Sequence, residues 1–172
     1  MKRIGRLLRA VVIPSVIMGT MVSGALGAPA SADAGARPLN LTAVKPQFTS
    51  FTCLEGSNGS CSLASATLDG KGTSNLATGA GSYHADLTID FSPGGTCNIV
   101  TENDAFSFDN GTILVRSHHE DCATHGLRID TTFQVTGGTG AFEGASGGGR
   151  EFREFSSVST STPVVYQGTI SL

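Results

Sequence analysis

Glu102-Asn103-Asp104-Ala105-Phe106-Ser107-Phe108-Asp109-Asn110-Gly111-Thr112-Ile113-Leu114-Val115-Arg116-Ser117-His118-His119 holds two runs of alternating apolar and polar residues around an Asn-Gly pair. Asn-Gly between such runs is the strongest short hairpin signal, because a two-residue type I′ turn needs positive φ at both central positions. Taking Asn110 and Gly111 as the turn pairs Asp109 with Thr112. It then sets Phe108 opposite Ile113, Phe106 opposite Val115, Asp104 opposite Ser117 and Glu102 opposite His119, all on one face. The other face carries Ser107, Leu114, Ala105, Arg116, Asn103 and His118, so the first set is the buried side. Glu102 and His119 close the far end of an apolar wall.

The same alternation recurs outward from the hairpin. Tyr83 to Phe91 places apolar residues at odd positions and polar ones at even positions, and Leu127 to Val135 sets Leu127, Ile129, Phe133 and Val135 on one face. Alternation of this kind marks half-buried strands. Six further strands are expected at Ala43 to Cys53, Ser60 to Leu68, Cys97 to Phe108, Thr112 to His119, Gly149 to Val158 and Val164 to Leu172. Eight short strands separated by Gly, Asn, Asp and Ser, with no helical period, predict an all-β antiparallel barrel or sandwich.

Upstream, Lys2, Arg3, Arg6 and Arg9 precede an apolar stretch from Leu7 to Val22 and a small-residue end, Ala30-Ser31-Ala32. This is the pattern of a secretory signal peptide over residues 1–32. Residues 33–41 read as a flexible arm and residues 42–172 as the barrel domain, with no lipid-attachment cysteine after the leader and no C-terminal anchor. The leader takes four of the 11 bases, so 14 acids face 7 bases and the mature chain carries a formal charge of −7. With no Trp as well, the composition argues against nucleic acid and against an anionic membrane surface.

Four cysteines in an exported chain predict disulfides. Cys53 and Cys61 flank a turn-rich stretch and are expected to bridge locally, leaving Cys97 with Cys122. A loop of about 25 residues closed by the second bridge stabilises by roughly 3 to 4 kcal/mol in the chain-entropy model. In the hairpin register above, however, Cys97 and Cys122 are diagonal, about 7 to 8 Å apart, so a bulge near Glu120-Asp121 is expected to close the gap. No close Cys or His spacing favours zinc, and no metal is expected.

Phe133-Gln134-Val135-Thr136-Gly137-Gly138-Thr139-Gly140-Ala141-Phe142-Glu143-Gly144-Ala145-Ser146-Gly147 resembles the strand, glycine turn and following segment of the dirigent and allene oxide cyclase barrels. Tyr166 to Ile170 is similar to their last strand. The resemblance implies an eight-stranded antiparallel β-barrel with a hydrophobic lumen open at one end, and a homo-oligomer, often a trimer or dimer in the plant members. It also implies activities that use no cofactor: ring closure of a fatty-acid epoxide, or orientation of phenoxy radicals. The motif contains no functional acid, tyrosine or arginine, so no site residue is carried over. From the residues themselves, Gly137, Gly138 and Gly140, with Thr139 between them, supply a structural turn, and Phe142 and Ala145 re-enter the core.

The remaining constellations divide between lumen and surface. Glu102 and His119, with Asp104 one rung inward, are the candidate acid/base residues, and Tyr83, Phe106, Phe108 and Phe133 the candidate lumen wall. His118, His84 and the Arg150-Glu151-Phe152-Arg153-Glu154-Phe155 run read as solvated, and the His118-to-His125 cluster as a loop. The expected function is binding of a small apolar ligand in the lumen of a secreted barrel. The alternatives are a cofactor-free cyclase or isomerase and an extracellular structural or interaction domain, the last favoured if the lumen's own Phe side chains fill it.

Overall fold

The computed structural model describes residues 35–91, 97–122, 128–154 and 162–172. The expected leader, the 123–127 connection containing His125, and residues 155–161 lie outside the described residues.

Eight antiparallel strands follow one another round a closed barrel: β1 (Arg37–Ser57), β2 (Ser60–Ser74), β3 (Gly81–Asp90), β4 (Cys97–Phe108), β5 (Gly111–Cys122), β6 (Arg128–Gly138), β7 (Ser146–Glu154) and β8 (Val164–Ser171). β1 pairs with β8 from Arg37↔Ile170 to Ala43↔Val164, which closes the ring. The rung that leaves β1 at Phe51 and passes Glu102, Ser117 and Phe133 returns to β1 at Leu39, twelve residues earlier. Such a stagger tilts the strands and gives the barrel its bore. It also carries β1 past β8 beyond Ala43, where Phe48 and Phe51 stand exposed.

The inward set is the one that alternation selects. Leu39, Leu41, Ala66, Ala85, Phe106, Ile113, Tyr166 and Ile170 are all buried. Two of these correct the expected arm: β1 starts at Arg37, and Leu39 and Leu41 have no exposed surface, so residues 37–41 are part of the wall that closes the barrel.

The β4–β5 hairpin is also corrected. Phe108 pairs with Gly111, so Asp109 and Asn110 form the turn and the register lies two residues from the one expected. Neither takes positive φ; the Asn-Gly pair with both residues at positive φ is Asn58-Gly59, at the β1–β2 tip. Contacts from another part of the chain select the 109–110 turn. Ala141 donates to the Asn110 carbonyl at 2.8 Å and Thr139 to the Thr112 carbonyl at 2.9 Å, while a Cβ on Gly111 would meet the Thr139 carbonyl oxygen at 2.0 Å. A two-residue slip keeps every side chain on its face, so the predicted buried side survives. It also sets Cys97 directly opposite Cys122, which bond without the expected bulge; Cys53 and Cys61 form the second disulfide.

One end of the barrel is stoppered. The glycine-rich segment leaves β6, forms a 3-10 turn at Gly140–Phe142 and drops Phe142 into the core, edge-on to Phe108 at 6.5 Å. The opposite end is where β3, β4, β5, β6, β7 and β8 meet the connections outside the described residues.

Candidate functional site

From the stoppered end inward, the lumen changes from apolar to aromatic to charged. Phe106 packs against Tyr83 at 5.0 Å and edge-on to Tyr166 at 5.4 Å, and Tyr166 lies edge-on to Phe133 at 5.4 Å. These rings occupy the middle of the barrel. Phe108 is half-buried and belongs to the stopper beside Phe142.

Asp104 sits against the ring cluster, gripped by two phenols: Tyr83 donates to Oδ1 at 3.1 Å and Tyr166 to Oδ2 at 2.9 Å. Beyond it, the Arg153 Nη2 donates to Glu102 Oε1 at 2.7 Å and lies 3.4 Å from Glu151 Oε1. One nitrogen therefore bridges two carboxylates from strands on different sides of the barrel. Glu102 and Glu151 have no exposed surface, whereas Arg153 and His119 keep 7% each, so the cluster meets solvent through those two side chains. Glu102 Oε2, Glu151 Oε2, Ser117 Oγ and His119 Nδ1 are buried without a hydrogen-bond partner.

Burial dominates the protonation of this group. It pushes the Asp104 carboxyl well above the usual carboxylate range, and Glu102 and Glu151 add to the push. Burial and then Glu102 raise Glu151 to about 7, with Arg153 and the neighbouring Ser117 hydroxyl opposing the rise. For Arg153 burial works against the charge, but Glu102 and Glu151 more than restore it and hold the guanidinium protonated. Burial lowers the His119 imidazole, only partly countered by Glu102. The Tyr83 and Tyr166 phenols are raised by burial and by Asp104, and remain donors. Buried ion pairs cost desolvation that their attraction does not always recover. Three carboxyls around one guanidinium are therefore a poor choice for stability alone and mark a candidate functional site.

The candidates from the sequence meet here in part. Glu102, Asp104 and His119 share the lumen face, but Glu102 lies opposite Ser117, His119 lies opposite Val100, and the short partner of Glu102 is Arg153. Arg153, Glu151 and Tyr166 are additions. Tyr166 was legible, since Val164, Tyr166 and Ile170 alternate with Val165, Gln167 and Thr169 and all three are buried. Glu151 and Arg153 were not: the strand Arg150 to Glu154 reads as a solvated face, and the structure turns its charged pair inward and leaves Phe152 only half-buried. His84 and His118 are exposed, His84 against Asp69 at 2.7 Å and His118 against Thr101 at 2.9 Å. Among the described residues the one metal-competent trio is Cys97, Glu120 and Cys122, and both its sulfurs are in the disulfide.

No protein-family model matches the chain, and no curated protein matches it. Among solved structures, pyocyanin demethylase is similar, at 14% identity over 77% of this chain and 98% of that one, with a TM-score of 0.48. A likeness at this level assigns no activity. The class defined by the strand ladder is a small, disulfide-bonded, closed antiparallel β-barrel. No helix among the described residues is long and apolar enough to cross a membrane, and two disulfides are consistent with an oxidising, extracellular setting.

Proposed function

We propose that this protein is a secreted barrel that binds a small organic molecule at the charged end of its lumen. The observation that carries the reading is the pair of buried carboxylate oxygens, Glu102 Oε2 and Glu151 Oε2, that have no hydrogen-bond partner. A buried acceptor left unpaired costs about 1–3 kcal/mol, so a bound group that supplies donors there is favoured. The likeness of residues 133–147 to the dirigent and allene oxide cyclase barrels supports a lumen ligand as well. The ligand differs from the purely apolar one expected from sequence. Phe106, Phe133, Tyr83 and Tyr166 pack on one another and fill the middle of the barrel, which taken alone favours a structural role; the binding reading rests on the unmet contacts at the charged end, and these are polar.

A second reading is cofactor-free proton transfer on the bound molecule. It is favoured by Glu151, whose pKa of about 7 lets it hold or release a proton near neutral pH. In that case Glu151 joins Glu102 and His119 as acid/base residues.

Native mass spectrometry of the disulfide-intact protein, purified from the medium of cells secreting it, tests the binding reading. The expected result is a non-covalent adduct of small-molecule mass that disappears on denaturation and is lost in Glu102→Gln. No adduct, together with no thermal stabilisation across a small-molecule screen, overturns it and leaves a structural or interaction role.

A further inference from the structure

Among the described residues the lumen site described above holds more carboxyl groups than cations, and this points to the class of molecule that completes it. Glu102 and Glu151 flank the same Arg153 nitrogen, each through Oε1, and each has a second oxygen that is buried without a hydrogen-bond partner, with the Ser117 hydroxyl the neutral donor beside Glu151. Asp104 lies beside them, but its two oxygens are already held by Tyr83 and Tyr166. One guanidinium thus serves two carboxylates whose outer oxygens remain open. An anionic group placed there would add a third charge of the same sign to a low-dielectric pocket, which Coulomb's law penalises steeply. A neutral hydroxyl supplies one donor and leaves the charge imbalance. An ammonium supplies three donors, an amidinium several in a plane, and both supply the missing charge.

Resting on the lumen-binding reading, we propose that the ligand presents a protonated amine or amidine, held between Glu102 Oε2 and Glu151 Oε2 and entering past His119 and Arg153.

A consequence follows for pH. Among the described residues, the groups facing Glu151 are Glu102 and Asp104 on β4, the Ser117 hydroxyl on β5, Arg153 on its own strand and Tyr166 on β8. Of these, Glu151 is the one raised to about 7, so below that pH a proton competes with the ligand's cation for its carboxylate. Cation affinity therefore rises about tenfold from pH 6 to pH 8, by the linkage of one proton to binding.

The test is isothermal titration of the disulfide-intact protein with primary amines from methylamine to 2-phenylethylamine, beside the matched alcohols and carboxylates. These amines stay protonated below about pH 9. The expected result is binding by amines alone, at least tenfold weaker in Glu151→Gln and in Glu102→Gln, with the pH dependence above. The pH series on the unaltered protein decides the matter if either variant fails to fold. Binding of an alcohol or carboxylate as tight as the amine, still sensitive to Glu102→Gln, overturns the cationic class and keeps the lumen site. No binding by any probe, or binding indifferent to both variants, overturns the site along with the class and leaves ordered water as the partner of the two oxygens.

Discussion

At the scale of single residues, Glu151 ties the lumen to stability. Folding raises its pKa from the ordinary 4.5 to about 7, so the folded chain holds this proton more tightly than the unfolded one. The stabilisation is complete below pH 4.5 and is lost as pH rises through 7, up to roughly 3 kcal/mol. Asp104, also raised, acts in the same direction. His119 is lowered, so its contribution runs the other way and is lost as pH falls below its ordinary 6.5. Urea unfolding of the unaltered protein and of Glu151→Gln at pH 5, 6, 7 and 8 separates these. The stability difference between the two proteins shifts by about 2–3 kcal/mol in favour of Glu151→Gln across that range, and a constant difference contradicts the buried placement of Glu151.

At the scale of elements, the glycine-rich connection between β6 and β7 does its work by close approach. Gly140 and Gly144 both have positive φ, 61° and 75°, but a Cβ on Gly140 would lie 2.5 Å from the Asn110 carbonyl oxygen, while one on Gly144 meets nothing within 4 Å. Gly144→Ala is expected to cost the left-handed strain alone, about 1–2 kcal/mol. Gly140→Ala is expected to cost about 1–3 kcal/mol more, since the turn at 109–110 must move away. Thermal melts of the two variants measure the difference; equal melting temperatures would show that the connection does not dock on the β4–β5 turn. This docking is also why the hairpin could not be registered from its own residues. Asn110-Gly111 has the local chemistry of a type I′ turn, but hydrogen bonds from Thr139 and Ala141, about 30 residues away in sequence, select the neighbouring turn. The site suffers the same limit on β7, where Glu151 and Arg153 face inward against hydropathy because Glu102 stands across the lumen to meet Arg153.

At the scale of the whole molecule, the barrel depends on its first strand finding its last. Leu39, Leu41 and Ala43 are buried between β2 and β8, and Arg37 pairs with Ile170. A chain beginning after residue 43 is expected to lose cooperative unfolding and near-ultraviolet circular dichroism, because it opens the sheet and exposes Tyr166 and the lumen charges. Retention of a sharp transition in that truncated chain would mean that the fold does not need the pairing of β1 with β8.

What the sequence determined by itself was set by short-range pattern. Period-two alternation marked eight strands and gave the inward faces of β3, β4, β5 and β6, because side chains on a strand alternate whatever the partner. That is why Glu102, Asp104, His119, Tyr83, Phe106 and Phe133 were placed in the lumen. Cysteine spacing selected Cys53–Cys61 and left Cys97–Cys122 as the remaining pair, and both disulfides form. Only the tertiary structure decided the register of the β4–β5 hairpin, the recruitment of residues 37–41 into the wall and the inward turn of Glu151 and Arg153. Each of these depends on a partner far along the chain, and a charged residue enters a barrel only where the opposite wall supplies its counter-charge.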